Sequence, residues 1–179
     1  MFKKLMIPAL AIIVSFTANS QHTVKFTHPD NLFHEGKELY AQRKFAASYR
    51  YFEDYLKTAV PTNAGMIQEA EYYLASNAYE LRQENAESLL IKYVMNHPYS
   101  PYLDRSNYLL GLLRYEDKDY QKALTYFRLV DETHLIDKEK VDYLFSRGYA
   151  NLATGNNARA LNIYKTLKSM NSPHQATAR

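Results

Sequence analysis

The chain contains no cysteine and no tryptophan, and only 5 of its 179 residues are glycine. Without cysteine there is no disulfide framework, no lipid-modified cysteine and no cysteine nucleophile. The sequence also has no glycine-rich phosphate loop and no G-x-S-x-G nucleophile motif. Disulfide scaffolds and several common enzyme classes are therefore excluded, and the fold has to depend on a packed apolar core.

Long hydrophobic runs are also scarce, except at the N-terminus. Lys3 and Lys4 precede an apolar run over residues 5–16, and the small residues 18–20 stand before Gln21. This order is typical of a secretory signal peptide, and the run is short for a membrane span. We predict a signal peptide over residues 1–20 and an exported protein that is periplasmic, associated with the cell envelope or secreted. The alternative is an uncleaved anchor, which Pro8 and the short run disfavour.

The chain also has no large excess of positive or negative charge. The chain has 22 Lys and Arg residues against 19 Asp and Glu residues, which gives a formal charge of +3. Loss of Lys3 and Lys4 with the signal peptide lowers this charge to +1. Charges that are so evenly balanced do not indicate attraction to nucleic acid or anionic lipid. We expect no nucleic-acid partner and no integral membrane segment in the mature chain.

What the sequence does contain is a repeated pattern. Ala86, Ala123 and Ala160 stand 37 residues apart, and a bulky residue follows each of them four positions later. A small residue precedes each alanine by eleven or twelve positions, and a looser copy occurs earlier in the chain. The preceding small residues are Ala75, Gly111 and Gly148, and the looser copy has Gly36, Ser48, Phe52 and Tyr55. A period of this length predicts a stack of similar supersecondary units.

Each unit has the periodicity of two helices. In the third copy, residues 104–116 place Tyr108, Gly111, Leu112 and Tyr115 at helical spacing, and residues 117–119 form a turn. Residues 120–132 show a second apolar stripe with the same period. No strand pattern competes with the helical one. We therefore predict an all-α fold, with Gly111 placed where the first helix of the unit closely approaches the second.

The residues of the third copy resemble the tetratricopeptide repeat. Gly111 with Tyr115, then Asp119 and Tyr120, then Ala123 and Phe127 are similar to that family's pattern of a small residue, an aromatic, Asp-Tyr, Ala and Phe. The resemblance implies a right-handed superhelical solenoid of helical hairpins. The implied hairpins are residues 30–60, 66–98, 102–134 and 138–172, with an extended lead at 21–29 and the truncated start of a fifth repeat at 173–179. The repeat length of 37 and Ser48 in place of alanine depart from the family pattern.

Catalytic and metal-binding motifs are not recognisable in the sequence. His34 and Glu35 match the first two residues of the HExxH zinc motif, but Glu38 stands where the second histidine is required. No convergent set of acid, base and nucleophile is apparent either. We predict a protein that is not an enzyme and that has no metal site and no cofactor.

The aromatic excess, 17 Tyr and 8 Phe, is the best indication of a binding surface. In the tetratricopeptide fold, one face of each first helix lines a concave groove that binds peptides. The matching positions are three residues before and four residues after the small residue of each copy. They hold Phe33, Tyr72, Tyr108 and Phe145, and then Tyr40, Tyr79, Tyr115 and Leu152, with Arg105, Glu69, Glu80, Glu116 and Asp142 around them. The alternative is that these rings pack between hairpins as core, because aromatics at helical spacing are usually buried.

These patterns favour an exported, non-catalytic scaffold. Aromatic anchors with a polar rim suit a protein or peptide partner, and the scaffold would then belong to a complex of the cell envelope. A carbohydrate-binding helical protein of the envelope is the alternative, because stacked aromatic rings also bind sugar faces. Binding to peptides but not to oligosaccharides would distinguish the two functions.

Overall fold

The computed structural model describes residues 29–170, and within this range the chain is helical with no β-strand. The helices are α1 (Pro29–Ala41), α2 (Phe45–Thr58), α3 (Ala64–Glu80), α4 (Ala86–Asn96), α5 (Leu103–Glu116), α6 (Tyr120–Phe127), α7 (Asp137–Ala153) and α8 (Asn157–Met170). Two short 3-10 helices, Pro61–Asn63 and Glu132–His134, precede α3 and α7. The all-α prediction is confirmed. The predicted signal peptide, nearly all of the predicted lead and the predicted start of a fifth repeat lie outside the described residues.

Pro29 is the one residue of the predicted lead that the structure describes, and it is the first residue of α1. Proline is compatible with the first turn of a helix because the N–H that it lacks has no partner within the helix there. Between residues 29 and 170, no helix combines the length and the apolar character that a membrane crossing requires.

Consecutive helices pack as four pairs, α1 with α2, α3 with α4, α5 with α6 and α7 with α8. The second helix of each pair contacts the first helix of the next pair. In addition, α1 contacts α3, α3 contacts α5, and α5 contacts α7. The odd-numbered helices therefore lie side by side in one row.

A close glycine–aromatic contact joins the two helices in three of the pairs. A Cβ atom built on Gly111 would lie only 2.3 Å from a ring carbon of Phe127, which is far inside van der Waals contact. Gly111 therefore faces the second helix of its pair, as predicted. The equivalent contacts are Gly36 with Phe52, at 3.0 Å, and Gly148 with Tyr164, at 2.8 Å. At these places a larger side chain would force the two helices apart.

The first helix of every pair ends in the same way. Seven residues after each small residue, the backbone enters the left-handed region, at Arg43, Arg82, Lys118 and Gly155, with φ between 54° and 81°. In the third pair the Lys118 N–H donates to the Tyr115 carbonyl at 3.0 Å, and the Asp119 N–H donates to the Arg114 carbonyl at 2.9 Å. Equivalent bonds occur in the other three pairs. This is the Schellman motif, which satisfies the last carbonyls of a helix and reverses the chain.

Ser48 has a structural reason to replace the alanine of the other copies. Its side chain is fully buried, and its hydroxyl donates to the Gly36 carbonyl at 2.8 Å. The same oxygen accepts a hydrogen bond from Asn77 Nδ2 at 2.9 Å, which connects α2 to α3. The hydroxyl is therefore satisfied in the core and links the first pair to the second.

The second helix of the third pair is shorter than the sequence predicts. The pattern indicated a helix to residue 132, but α6 ends at Phe127. Asp104 of α5 is the cause, because one of its carboxylate oxygens accepts from the Asp131 N–H at 2.7 Å and the other bonds to His134 Nδ1 at 2.7 Å. These contacts hold residues 131–134 against α5, in a path that continuation of the helix would not allow.

Candidate functional site

A groove of about 410 Å³ runs across the row of odd-numbered helices. Its lining includes Tyr40 from α1, Tyr79 and Glu80 from α3, Arg105 and Tyr108 from α5, and Asp142 from α7. The volume is within the range of sites that bind small molecules or a few residues of a peptide. The groove exists because the first helices of successive pairs lie next to one another.

Tyr40 is fixed at the α1 side of the groove. Its hydroxyl is 2.7 Å from Ser76 Oγ, and its ring lies edge-on to Phe45 and Tyr73 at centroid distances of 5.5 and 4.8 Å. Burial raises the pKa of Tyr40, although the hydrogen bond to Ser76 opposes the shift. The phenol is therefore neutral at physiological pH, and it forms a rigid wall of the groove.

Tyr79 and Tyr108 present hydroxyl groups that have no hydrogen-bond partner within residues 29–170. Tyr108 is only 4% exposed, yet it lines the groove. Burial is the largest cause that raises the pKa of each phenol, so both remain neutral at physiological pH. A neutral phenol both donates and accepts a hydrogen bond, and these two groups are therefore available to a ligand.

Arg105 is committed to contacts within the protein. Its guanidinium forms an ion pair with Glu139 of α7 and lies 5.8 Å from the centroid of the Tyr72 ring. Glu139 also accepts a hydrogen bond from the Ile136 N–H, at 3.3 Å, where α7 begins. The ion pair therefore connects α5 to α7 at the groove, and little of the positive charge is left for a ligand.

Two carboxylates of the groove differ from Glu139 because they form no ion pair within the described residues. They are Glu80, at the end of α3, and Asp142, in α7. An adjoining hollow of about 310 Å³ shares Tyr79 and Glu80 with the groove and is lined on its other side by Arg82 and Glu116. Arg82 and Glu116 pair with each other at 3.1 Å. The unpaired charge around Tyr79 is therefore negative.

The structure corrects the predicted site at Phe33 and Tyr72. Phe33 is 3% exposed and packs against Phe52 and Tyr55, while Tyr72 is completely buried. The Tyr72 ring is stacked on Tyr102, which precedes α5, with the centroids 4.2 Å apart. These two rings belong to the core because neighbouring elements cover them, and a ligand in the groove does not reach them.

Tyr115, Phe145 and Leu152 lie outside the lining of the groove. The Tyr115 ring packs with Tyr120 and Tyr149, at a centroid distance of 5.8 Å in each case. Phe145 and Leu152 of α7 are each about half exposed. Of the predicted set, Tyr40, Tyr79, Tyr108 and Arg105 line the groove, and their role in ligand binding remains a prediction.

The structure places the predicted acidic residues in different environments. Glu69 bonds to Lys37 Nζ and to the Tyr102 hydroxyl, both at 2.7 Å, so this side chain connects α1, α3 and the segment before α5. The sequence reasoning missed Glu139 and Ser76, which hold Arg105 and Tyr40 in place. The position of Glu139 three residues after a helix start is a capping signal, but nothing in the sequence pattern pairs it with Arg105.

Comparisons with known proteins add no further constraint. No family model matches the chain, and no curated protein matches it with a significant score. In the part of the chain that the structure describes, no group of three or more His, Asp and Glu side chains is placed to hold a metal ion. The groove contains aromatic rings, neutral phenols, the carboxylates of Glu80 and Asp142, and the cations of Arg43 and Lys138, and these four charged groups form no ion pair within the described residues.

Proposed function

We propose that this protein is an exported, non-catalytic scaffold of the tetratricopeptide type, which binds an extended segment of a partner protein in the groove of its odd-numbered helices. In this proposal the four helix pairs are four repeats of a right-handed superhelical solenoid. The partner is a protein or peptide, and the complex belongs to the cell envelope.

The repeat assignment is supported by features that recur at fixed distances. The helix-end motif stands seven residues after the small residue in each pair, and the glycine–aromatic contact recurs in three pairs. Arrays of such units expose an extended surface along one face, because each unit contacts only its neighbours. A surface of that kind suits a peptide chain more than a compact ligand.

The groove is the observation that carries the binding proposal. Rigid aromatic walls are formed by side chains that are held by internal contacts, as Tyr40 is held by Ser76. Ordered side chains reduce the entropy lost on binding, and tyrosine supplies contact area together with a hydrogen-bonding group. The hydroxyls of Tyr79 and Tyr108 are free to bond to the backbone of an extended peptide.

A direct test compares a groove variant with a variant outside the groove. Tyr79→Ser removes a ring of the groove, whereas Tyr99→Ser removes a ring that is 98% exposed in the segment before α5. Binders would be selected on the wild type from a random seven-residue peptide library, and their affinities for all three proteins would be measured by calorimetry. We expect Tyr79→Ser to weaken binding about tenfold or more and Tyr99→Ser to leave it unchanged. Equal affinities for the two variants would contradict the proposal.

Carbohydrate binding is the second candidate, and one observation favours it. The free hydroxyls of Tyr79 and Tyr108 lie in the same groove as the carboxylates of Glu80 and Asp142, and such groups also bond to sugar hydroxyls. A glycan array probed with the same variants would distinguish the candidates. Binding to oligosaccharides that depends on Tyr79, without binding to peptides, would favour the carbohydrate function.

Export is supported by the N-terminal sequence alone. Lys3 and Lys4, the apolar run and the small residues before Gln21 fit cleavage after residue 20. Mass spectrometry of the protein from an exporting bacterial host should then find Gln21 as the first residue. A protein that retains Met1 and stays in the cytosol would contradict this part of the proposal.

A further inference from the structure

We infer that the surface formed by Tyr79, Glu80, Tyr108 and Asp142, called here the acidic tyrosine site, receives a basic side chain, Lys or Arg, of the bound segment. The inference rests on the proposed function, because it assigns one residue of the peptide to one place in the groove. It also specifies the charge of the ligand, which the aromatic pattern alone does not.

The buried phenol of Tyr108 is the first observation. This residue is only 4% exposed, it lines the groove, and its hydroxyl makes no hydrogen bond within residues 29–170. Most of the residue is covered, but its hydroxyl keeps access to the groove, so a ligand in the groove can reach this unpartnered group. A phenol oxygen accepts a hydrogen bond from an ammonium or guanidinium group.

The balance of charge at the site is the second observation. Glu80 and Asp142 have no ion-pair partner in the described part of the chain, whereas the two arginines beside the tyrosines are paired. Arg105 pairs with Glu139, and Arg82 pairs with Glu116. A cationic group placed at these tyrosines therefore meets two carboxylates that form no ion pair.

Two further cations line the same groove and form no ion pair within residues 29–170. The Arg43 guanidinium lies 5.9 Å from the Phe45 ring centroid, at the junction of α1 and α2, and Lys138 is in the first turn of α7. Neither is among the main causes that shift the pKa of Tyr79 or Tyr108. After burial, the charges that raise the pKa of Tyr79 most are the carboxylates of Glu116 and Glu80.

The side chains of Lys and Arg fit the shape of this site. Their apolar stems cover aromatic rings while the charged group reaches polar atoms, and a cation is attracted to the face of a tyrosine ring. The adjoining hollow beyond Tyr79 and Glu80 leaves space for the long stem. The two hollows together therefore accommodate a basic side chain that branches from a peptide lying along the helix row.

The test uses the full chain and a random seven-residue peptide library as the probe. Selected binders are sequenced, and their affinities are measured for the wild type, for the double variant Glu80→Gln/Asp142→Asn, and for the matched control Glu53→Gln/Asp54→Asn, which changes two exposed carboxylates of α2. We expect Lys or Arg to be enriched at one peptide position and the double variant to lose about tenfold in affinity. The control should leave the affinity unchanged, because Glu53 and Asp54 do not line the groove.

The outcomes distinguish a failure of the acidic tyrosine site from a failure of the peptide-binding function. Binders that depend on Tyr79 but show no basic position, or that bind the double variant unchanged, overturn the acidic tyrosine site and leave the peptide function intact. The absence of any binder that depends on Tyr79 overturns both. Folding of the double variant is checked by its melting temperature, and Tyr108→Phe, which removes only the unpartnered hydroxyl, serves as a second variant. It should keep the wild-type stability and weaken the basic-peptide complex about threefold.

Discussion

Four aromatic residues occupy the same position of the four helix pairs, three residues before the small residue, but they do not share the same environment. Phe33, Tyr72 and Tyr108 are at most 4% exposed, whereas Phe145 is 51% exposed. In the second and third pairs the covering ring comes from the next pair, since Tyr72 stacks on Tyr102 and Tyr108 contacts Tyr143. Within the described residues, no later odd-numbered helix lies against α7. Phe33 is covered by Phe52 and Tyr55 of its own pair, whereas the next pair contributes to the cover of Tyr72 and Tyr108.

The largest expected difference is between Tyr72→Ala and Phe145→Ala. Removal of the Tyr72 ring leaves a cavity in the core, and truncation of a buried aromatic typically costs about 3–5 kcal/mol. Phe145 is half exposed, so its truncation should cost less than about 1 kcal/mol. Urea titration of both variants measures the two free energies of unfolding. Similar losses for the two variants would mean that α7 is covered in solution, and the comparison between inner and last pairs would no longer hold.

The glycine contacts extend the comparison to the interface inside each pair. Gly111→Ala brings a methyl group against the fully buried Phe127 ring, and we expect a loss of about 1–3 kcal/mol. Gly148→Ala meets Tyr164, which is only partly buried and can move, so the loss should be smaller. Gly65→Ala is the control, because nothing lies within 4 Å of its Cβ position and alanine favours the helix. Thermal unfolding that ranks Gly148→Ala below Gly111→Ala in stability would contradict this order.

Substitutions at the left-handed helix ends should change the free energy of unfolding by smaller amounts. The expected changes have opposite signs in the third and fourth pairs. Lys118 has a φ of 61°, a conformation that costs a side-chain residue about 1 kcal/mol, so Lys118→Gly should stabilise the protein by up to that amount. Gly155 has a φ of 81°, and Gly155→Ala should destabilise it by about 1 kcal/mol. Denaturant midpoints of the two single variants provide the measurement. The Lys118 side chain is exposed. If both changes destabilise the fold, this side chain forms a stabilising contact in solution.

The smallest expected effect concerns the link between the third pair and the segment before α7. The hydrogen bond that His134 donates to the Asp104 carboxylate, together with the negative charge of that carboxylate, raises the pKa of His134 above the usual value of 6.5. The stabilisation is therefore fully present below pH about 6.5 and is lost as the pH rises through the higher pKa of the folded state. The stability difference between wild type and His134→Gln should be largest near pH 6 and should decrease as the pH rises through the pKa of the folded state. An NMR titration that places the His134 pKa below 6.5 would contradict this.

Much of the helical architecture could be predicted because its signals are local. Apolar periodicity indicated α5, and the small residue at Gly111 indicated the close helix contact that the structure contains. The end of α6 could not be predicted, because Asp104 acts on it from another helix. The same limit applies to the groove. Tyr72 and Tyr108 have identical register positions, but Tyr72 is covered by Tyr102 and Tyr93 and does not line the groove, whereas Tyr108 does.

The uniform helix ends also bear on how such a chain can change in length. The turns inside all four pairs are restricted by the Schellman bonds, so an inserted residue there would break the hydrogen bonds and rotate the second helix. The segments between pairs are under no such restriction, and they lengthen along the chain, from residues 59–63 to 97–102 and 128–136. Insertions and deletions are therefore expected to accumulate between pairs during evolution. The same segments are the natural boundaries at which whole pairs can be exchanged to make chimeric proteins.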